Sequence, residues 1–279
     1  MASTGRRHGL HLRSAVRGAG MSRRLTARLA GLGLPPGPTD PRPVTEADLA
    51  PLPEPAQRWM RRSGVVGRPR DWSFRVRTTG RFRLRPGRGW MPFEAWQYDS
   101  GPAVARVYCM RVDMAGVLPV YAVDSYVAGR GRMRGRLLGL VPVADGSGPE
   151  FDVGELATWV DDAAMTAPSM LLVPAARWTP VDDGCVQLAF TDSGTTVTTR
   201  LSVDAAGRLT DVSTEDRYAA LPQGVVRARW STPVAGWTTV DGREIPAGGT
   251  AVWHLPDGEY RYAEVRVDTR SLRWGVPPA

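Results

Sequence analysis

Turn dipeptides recur at short intervals through the second half of this chain: Asp183-Gly184, Ser193-Gly194, Ala206-Gly207, Asp241-Gly242 and Asp257-Gly258. A glycine in such a pair admits the positive φ that a tight hairpin needs. Strand-like runs lie between them, at Val186–Phe190, Thr195–Val203, Leu209–Asp216, Val225–Thr232, Thr250–Leu255 and Tyr260–Val267. Connections this short join antiparallel neighbours, because a parallel pair needs a long crossover. The second half is therefore constrained to hairpins.

The first half carries the same signal in its periodicity. Trp72, Phe74, Val76, Thr78, Phe82 and Leu84 alternate with Arg75, Arg77, Arg81, Arg83 and Arg85, which predicts strands with one buried and one basic face. Gly80 within them predicts a bend or bulge. Further strands are predicted at Trp90–Tyr98, Ala103–Met114, Val120–Val127 and Arg130–Val141. The run Ala103–Met114 is apolar on both phases, as in a strand covered on both sides. Two helices interrupt the pattern. A short one starts at Pro55 and stops at Gly64. The other runs from Asp152 to about Met165, with Asp152 as cap, Glu155 completing a capping box, and Leu156, Trp159, Val160 and Ala163 on one face. The predicted fold is mainly β: one curved, half-barrel-like antiparallel sheet of about 10–11 strands wrapping a central helix, with a short N-terminal helix. Residues 55–279 form this single domain.

Residues 1–54 are predicted to be a disordered Arg- and Pro-rich extension and linker, in which Thr45 caps a short turn through Asp48. Met21 offers a second start beside Met1. Arg23-Arg24 matches the centre of a twin-arginine export signal, but Leu29–Leu34 is too short an apolar stretch and Pro35-Pro36 ends it without a cleavage site. No apolar run is long enough for a membrane-spanning helix. A cytoplasmic location is the default expectation.

The net charge of +8 is unevenly spread. Residues 1–30 hold seven Arg and no acid, residues 31–145 eighteen Arg and ten acids, and residues 146–279 eleven Arg and eighteen acids. A basic front half and an acidic back half do not make the single basic face of a specific nucleic-acid binder. If their strands pair, the rows 75/77/81/83/85 and 130/132/134/136 would share a basic face. Arg81, Arg83, Arg132 and Arg134 are its candidate anion-binding residues, for a lipid headgroup or an anionic membrane surface. The alternative is a solvated face paired with acids.

The stretches Gly80-Arg81-Phe82-Arg83, Trp90-Met91-Pro92-Phe93, Gly129-Arg130-Gly131-Arg132-Met133, Leu137-Leu138-Gly139-Leu140-Val141-Pro142 and Gly148-Pro149-Glu150-Phe151-Asp152-Val153-Gly154-Glu155-Leu156 resemble those of a family of bacterial proteins of unknown function. The likeness spans about residues 55–270. It implies no activity. Members often look membrane-tethered by an amino-terminal hydrophobic helix, so the resemblance implies an envelope location as the alternative, against which this sequence shows no such helix. The architecture also resembles, more weakly, the half-barrels of lipoprotein-sorting carriers, in which a curved sheet holds an acyl chain.

Catalytic signals are sparse. There is no Gly-x-Ser-x-Gly, Walker loop or dinucleotide fingerprint, and no cofactor is expected. His8 and His11 lie in the extension, and His254 reads as a strand-face side chain. Cys109 and Cys185 lack the spacing of a metal site and read as small core residues, paired only in an oxidising compartment. Glu150, Asp152 and Glu155 are the candidate catalytic carboxylates, with capping as the competing role of the last two. Trp90, Met91, Phe93, Trp96, Tyr108, Met110, Met114 and Trp159 are candidates to line an apolar cavity, although such residues are commonly core. The expected function is non-enzymatic binding of a hydrophobic or amphipathic, lipid-like molecule in the sheet concavity. The alternative is an enzyme acting on a small polar substrate around Glu150.

Overall fold

The computed structural model describes residues 20–38, 40–114, 118–221 and 224–278. The helices are α1 (20–29), α2 (Glu46–Leu49), α3 (Glu54–Arg62) and α4 (Pro149–Thr166), the last followed by a 3-10 turn, Pro168–Leu171. The strands before α4 are β1 (Ser73–Phe82), β2 (Met91–Ser100), β3 (Ala105–Met114), β4 (Leu118–Val127), β5 (Arg130–Leu137) and β6 (Val141–Ser147). After it come β7 (Ala176–Asp182), β8 (Cys185–Asp192), β9 (Thr195–Val203), β10 (Leu209–Thr214), β11 (Tyr218–Leu221), β12 (Gly224–Arg227), β13 (Arg229–Ser231), β14 (Trp237–Val240), β15 (Arg243–Pro246), β16 (Gly248–Leu255) and β17 (Gly258–Trp274).

Thirteen of these strands form one sheet in the order β6-β5-β4-β3-β2-β1-β17-β16-β13-β10-β9-β8-β7, and its pairings are antiparallel; β11-β12 and β14-β15 are separate ribbons. The antiparallel class and central helix agree with the sequence expectation, and the sheet is larger than expected. The predicted strand Arg130–Val141 is β5 plus a turn into β6, and β7 was not predicted. Both new strands are sheet edges and both contain a proline, Pro142 in β6 and Pro180 in β7. Proline is tolerated at an edge, where the missing N–H has no ladder partner to fail.

Gly80 is neither bend nor bulge. It pairs in register with Phe93 and Val265, and a Cβ there would lie 1.8 Å from the Glu264 carbonyl oxygen. The irregularity in this pairing falls between Arg75 and Arg77.

α4 begins at Pro149, with Gly148 as its cap at φ +117°. Asp152 is therefore inside the first turn and not the cap. Its carboxylate accepts from the Gly131 N–H at 2.7 Å and from Arg130 at 3.0 Å, fastening α4 across β5. A Cβ at Gly131 would meet the Phe151 carbonyl oxygen at 2.0 Å, so glycine lets the helix backbone lie directly on the strand. One flank of α4 is dry: Leu156, Trp159 and Val160 are fully buried in a cluster with Val186, Leu188, Phe190 and Leu201. The Trp159 ring packs at a tilt against Phe190, centroids 5.0 Å apart, and its indole N–H donates to the Ser100 carbonyl at 3.1 Å.

The opposite sheet face carries α1, which the expectation of a disordered extension did not contain. Met21, Leu25 and Leu29 recur every fourth residue and are buried with Tyr98, Val107 and Cys109. Arg75 donates to Ser22 Oγ at 3.0 Å and to Thr26 Oγ1 at 2.9 Å. Three apolar residues among arginines make too thin a stripe to announce a helix, and the sheet supplies the burial that stabilises it. Further on, Val44, Leu49 and Leu52 are buried in the main core, so these linker residues are also packed. The Thr45–Asp48 cap is present as expected, with Asp48 accepting from the Thr45 N–H at 2.8 Å. Residues 1–19, with His8 and His11, lie outside the described residues.

Candidate functional site

Between the cavity-facing flank of α4 and strands β1–β4, β16 and β17 the sheet encloses a cavity of about 200 Å³. Period two sets its walls. On β2 the inward phase is Phe93, Ala95, Gln97 and Asp99, and on β3 it is Arg106, Tyr108 and Met110. Each strand thus runs from an apolar end to a charged end. Phe82, Phe93, Met110 and Val265 surround the apolar end. Gln97, Arg106, Asp124, Glu155, Asp161 and Asp162 line the charged end. The third wall holds Trp230, Tyr262 and Arg217, with the Arg217 guanidinium 4.2 Å over the Trp230 ring.

The charged end is a network in which carboxylates outnumber cations. Arg106, 5% exposed, donates to Asp162 at 2.6 Å and to Glu155 at 3.0 Å. Gln97 donates to Asp162 at 2.7 Å and to Asp99 at 3.0 Å. Thr232 donates to Asp161 at 2.6 Å. Five carboxylates (Asp99, Asp124, Glu155, Asp161, Asp162) therefore face two arginines, Arg106 and Arg217. One oxygen of Asp99 and one of Asp124 have no hydrogen-bond partner among the described residues.

Burial pushes Glu155 up to about 7, against the pull of Arg106. It pushes Asp99 and Asp161 well above the usual carboxylate range, each further raised by Asp162, and raises Asp124. The Arg106 guanidinium is held firmly charged by Asp162, Glu155 and Asp99, which outweigh its own desolvation. Burial disfavours the charged form of these carboxylates, and the two arginines offset that only in part.

Several predicted site residues meet here and others do not. Phe93, Tyr108 and Met110 line the cavity, and Met91 packs behind Phe93. Trp159 is on the dry flank of α4, and Trp96 is on the α1 side of the sheet, with Arg75 5.7 Å over its ring. Trp90 lies beneath Arg81 and Arg83, and Met114 ends β3 half-buried. The doubly apolar run now has its explanation, since Val107 and Cys109 meet α1 while Tyr108 and Met110 face the cavity.

The acidic trio does not assemble. Glu150 is exposed at the start of α4, Asp152 holds β5, and Glu155 alone of the three reaches the cavity. The two Arg rows do not share a face across paired strands either, because β2, β3 and β4 lie between β1 and β5. Arg81 is paired with Glu264 at 2.5 Å, Arg83 donates to the Arg261 carbonyl at 2.7 Å, and Arg132 and Arg134 share Asp145 at 3.0 and 3.9 Å.

The network itself was readable in part. Gln97 and Asp99 continue the phase of Phe93 and Ala95, and Asp161-Asp162 interrupts an apolar helix; polar residues at core positions are the signal. His254 does sit on a strand, with Ser231 Oγ 2.8 Å from its Nε2 and Glu259 3.7 Å from its Nδ1. The order suggests a catalytic triad, but Ser231 is buried and the Glu259 distance exceeds a hydrogen bond. Cys109 and Cys185 are both free thiols. Among the described residues no group of His, Cys, Asp and Glu is arranged to hold a metal ion, and no helix is long and apolar enough to cross a membrane.

A family model described as a family of unknown function, DUF6544, matches residues 42–265. No curated protein matches the chain in sequence. Among solved structures it is similar to a DUF1329 family protein from Desulfovibrio piger, at 13% identity and TM-score 0.44, covering 79% of this chain and 91% of that one. It is similar also to a LolA superfamily protein from Nitrosomonas europaea, at 11% identity and TM-score 0.41, covering 78% and 92%. A third is a domain described as an outer membrane lipoprotein-sorting protein from Vibrio parahaemolyticus, at 11% identity and TM-score 0.43, covering 73% and 85%.

Proposed function

The chain belongs to the DUF6544 family, and we propose that it is a non-enzymatic binder of an amphipathic, lipid-like molecule in the sheet concavity. The observation that carries this reading is the gradient inside one cavity, apolar at Phe82, Phe93, Met110 and Val265 and charged at Asp124, Glu155, Asp161 and Asp162. A tail in the first region is desolvated against carbon, and a head in the second replaces the water that buried polar groups lose. About 200 Å³ is enough for a short acyl or alkyl segment, with the remainder of a longer tail passing out of the apolar end.

The excess of carboxylates sets the sign of the head. An ammonium or another N–H donor gives the unpartnered oxygen of Asp124 a partner and favours the charged form that burial disfavours. A carboxylate head there would add a sixth acid to these five, with repulsion between them.

Two measurements on the full chain test the reading. Organic extraction followed by mass spectrometry is expected to release a stoichiometric amphiphile. After extraction, dodecylamine is expected to bind at neutral pH more tightly than dodecanoate, by at least about tenfold. An empty extract together with no binding of either probe would overturn the proposal.

A further inference from the structure

We infer that the turn joining β5 to β6 is a docking surface for an anionic lipid bilayer. Leu138 and Leu140, in the turn, and Val141 and Val143, which follow it on β6, are 53%, 75%, 55% and 54% exposed. Leu118 at the start of β4 is 44% exposed, and the neighbouring Pro119 carbonyl accepts from the Leu138 N–H at 2.8 Å. Five large apolar side chains thus stand in water at one corner of the sheet. Single exposed apolar residues are ordinary, but a contiguous group marks an interaction site.

The backbone adds an independent observation. Leu138 has φ +54° and Gly139 φ +77°, the arrangement of a type I′ hairpin turn. Asn, Asp or Gly is the usual residue at that first position, and a branched aliphatic side chain is strained there. The chain keeps a leucine where a polar residue would be more stable, and that leucine faces solvent.

Charge selects the partner. Arg132, Arg134 and Arg136 alternate along β5 beside the turn, and Asp145 is shared by Arg132 and Arg134. Arg136 makes no ion pair among the described residues. Leucines flanked by arginines in excess fit a surface with an apolar interior and anionic headgroups. The register places this surface relative to the cavity. Phe82 pairs with Met91, Phe93 with Val112, Val112 with Val120, Val120 with Leu137, and Leu137 with Val141. The apolar end of the cavity and the leucine turn therefore lie along the same rim of the sheet. A chain docked through the turn would bring that end toward the bilayer. The docking inference stands apart from the ligand reading, because vesicle binding needs no ligand in the cavity.

Flotation of the full chain with vesicles tests it. Binding is expected to equimolar phosphatidylcholine and phosphatidylglycerol, to weaken as salt rises, and to be absent with phosphatidylcholine alone. Replacing Arg132, Arg134 and Arg136 together by Gln is expected to reduce binding by at least about tenfold. Leu138→Asn relieves the turn, so it is expected to leave Tm unchanged or raise it while binding falls severalfold; Leu140→Ser is expected to lower binding without altering Tm. No binding of the native chain to the anionic vesicles would overturn the inference. So would equal binding by these variants, or a dimer in sedimentation that Leu138→Asn dissolves while vesicle binding persists.

Discussion

The two flanks of α4 are both buried and are built on opposite principles. On one, Leu156, Trp159 and Val160 are buried in an apolar cluster with residues of β8 and β9. On the other, Glu155, Thr158, Asp161 and Asp162 face a cavity. Burial of the first kind is stabilising wherever the chain can achieve it, through area removed from water. Burial of the second kind costs free energy unless each charge finds a partner, and here carboxylates outnumber cations. A helix needing only to be held would repeat the first flank on both sides. The cost of burying these carboxylates is what the proposed ligand, with a cationic head, would offset.

The comparison is sharpened most by damaging each flank in turn. Trp159→Ala removes a ring packed against Phe190 and leaves a dry void, and is expected to cost about 3–5 kcal/mol in denaturant unfolding at any pH where the chain is folded. Arg106→Met strands Asp162 and Glu155, and is expected to cost about 3 kcal/mol at pH 8 and clearly less at pH 5, where Glu155 can take a proton instead. Equal losses at both pH values would mean that Arg106 acts through packing alone, and the contrast between flanks would fail.

These two flanks were also unequally legible in the sequence. Leu156, Trp159, Val160 and Ala163 follow the helical period, and any reading of that period finds the dry side. Glu155 was visible too, but as a cap, since a carboxylate three residues after an aspartate at a predicted helix start has an ordinary local explanation. The start itself lies earlier, at Pro149, because a glycine with positive φ replaced the expected side-chain cap. Asp99, Arg106 and Asp124 were unreadable as a group. Their meeting depends on the antiparallel register of β2, β3 and β4, in which Asp99 pairs with Arg106, and register is a property of the whole sheet. The helix α1 was missed for the same kind of reason, because its burial comes from a sheet face formed by residues far along the chain.

The smallest expected effect on stability gives the most specific test. The Asp124 carboxyl is raised by burial and has one oxygen without a partner. Asp124→Asn keeps the shape and removes only the charge. Burial of that carboxyl and its attraction to Arg106 and Arg217 act in opposite directions, so the substitution is expected to change unfolding free energy by less than about 1 kcal/mol. Linkage gives the sign for the cluster as a whole. Glu155 binds its proton up to about pH 7 in the folded chain and ionises near its ordinary value when unfolded, so folding stability falls as pH rises between those values and levels off above about 7. Dodecylamine affinity should move the opposite way, strengthening as pH rises through 7 while the amine stays protonated, because the ligand's cation then replaces a proton already lost. Asp124→Asn should weaken that affinity several-fold with stability preserved. If calorimetry finds amine binding unchanged in Asp124→Asn and flat across pH 6–8, the second flank is no binding surface, and its carboxylates are a protonated network that serves the fold alone.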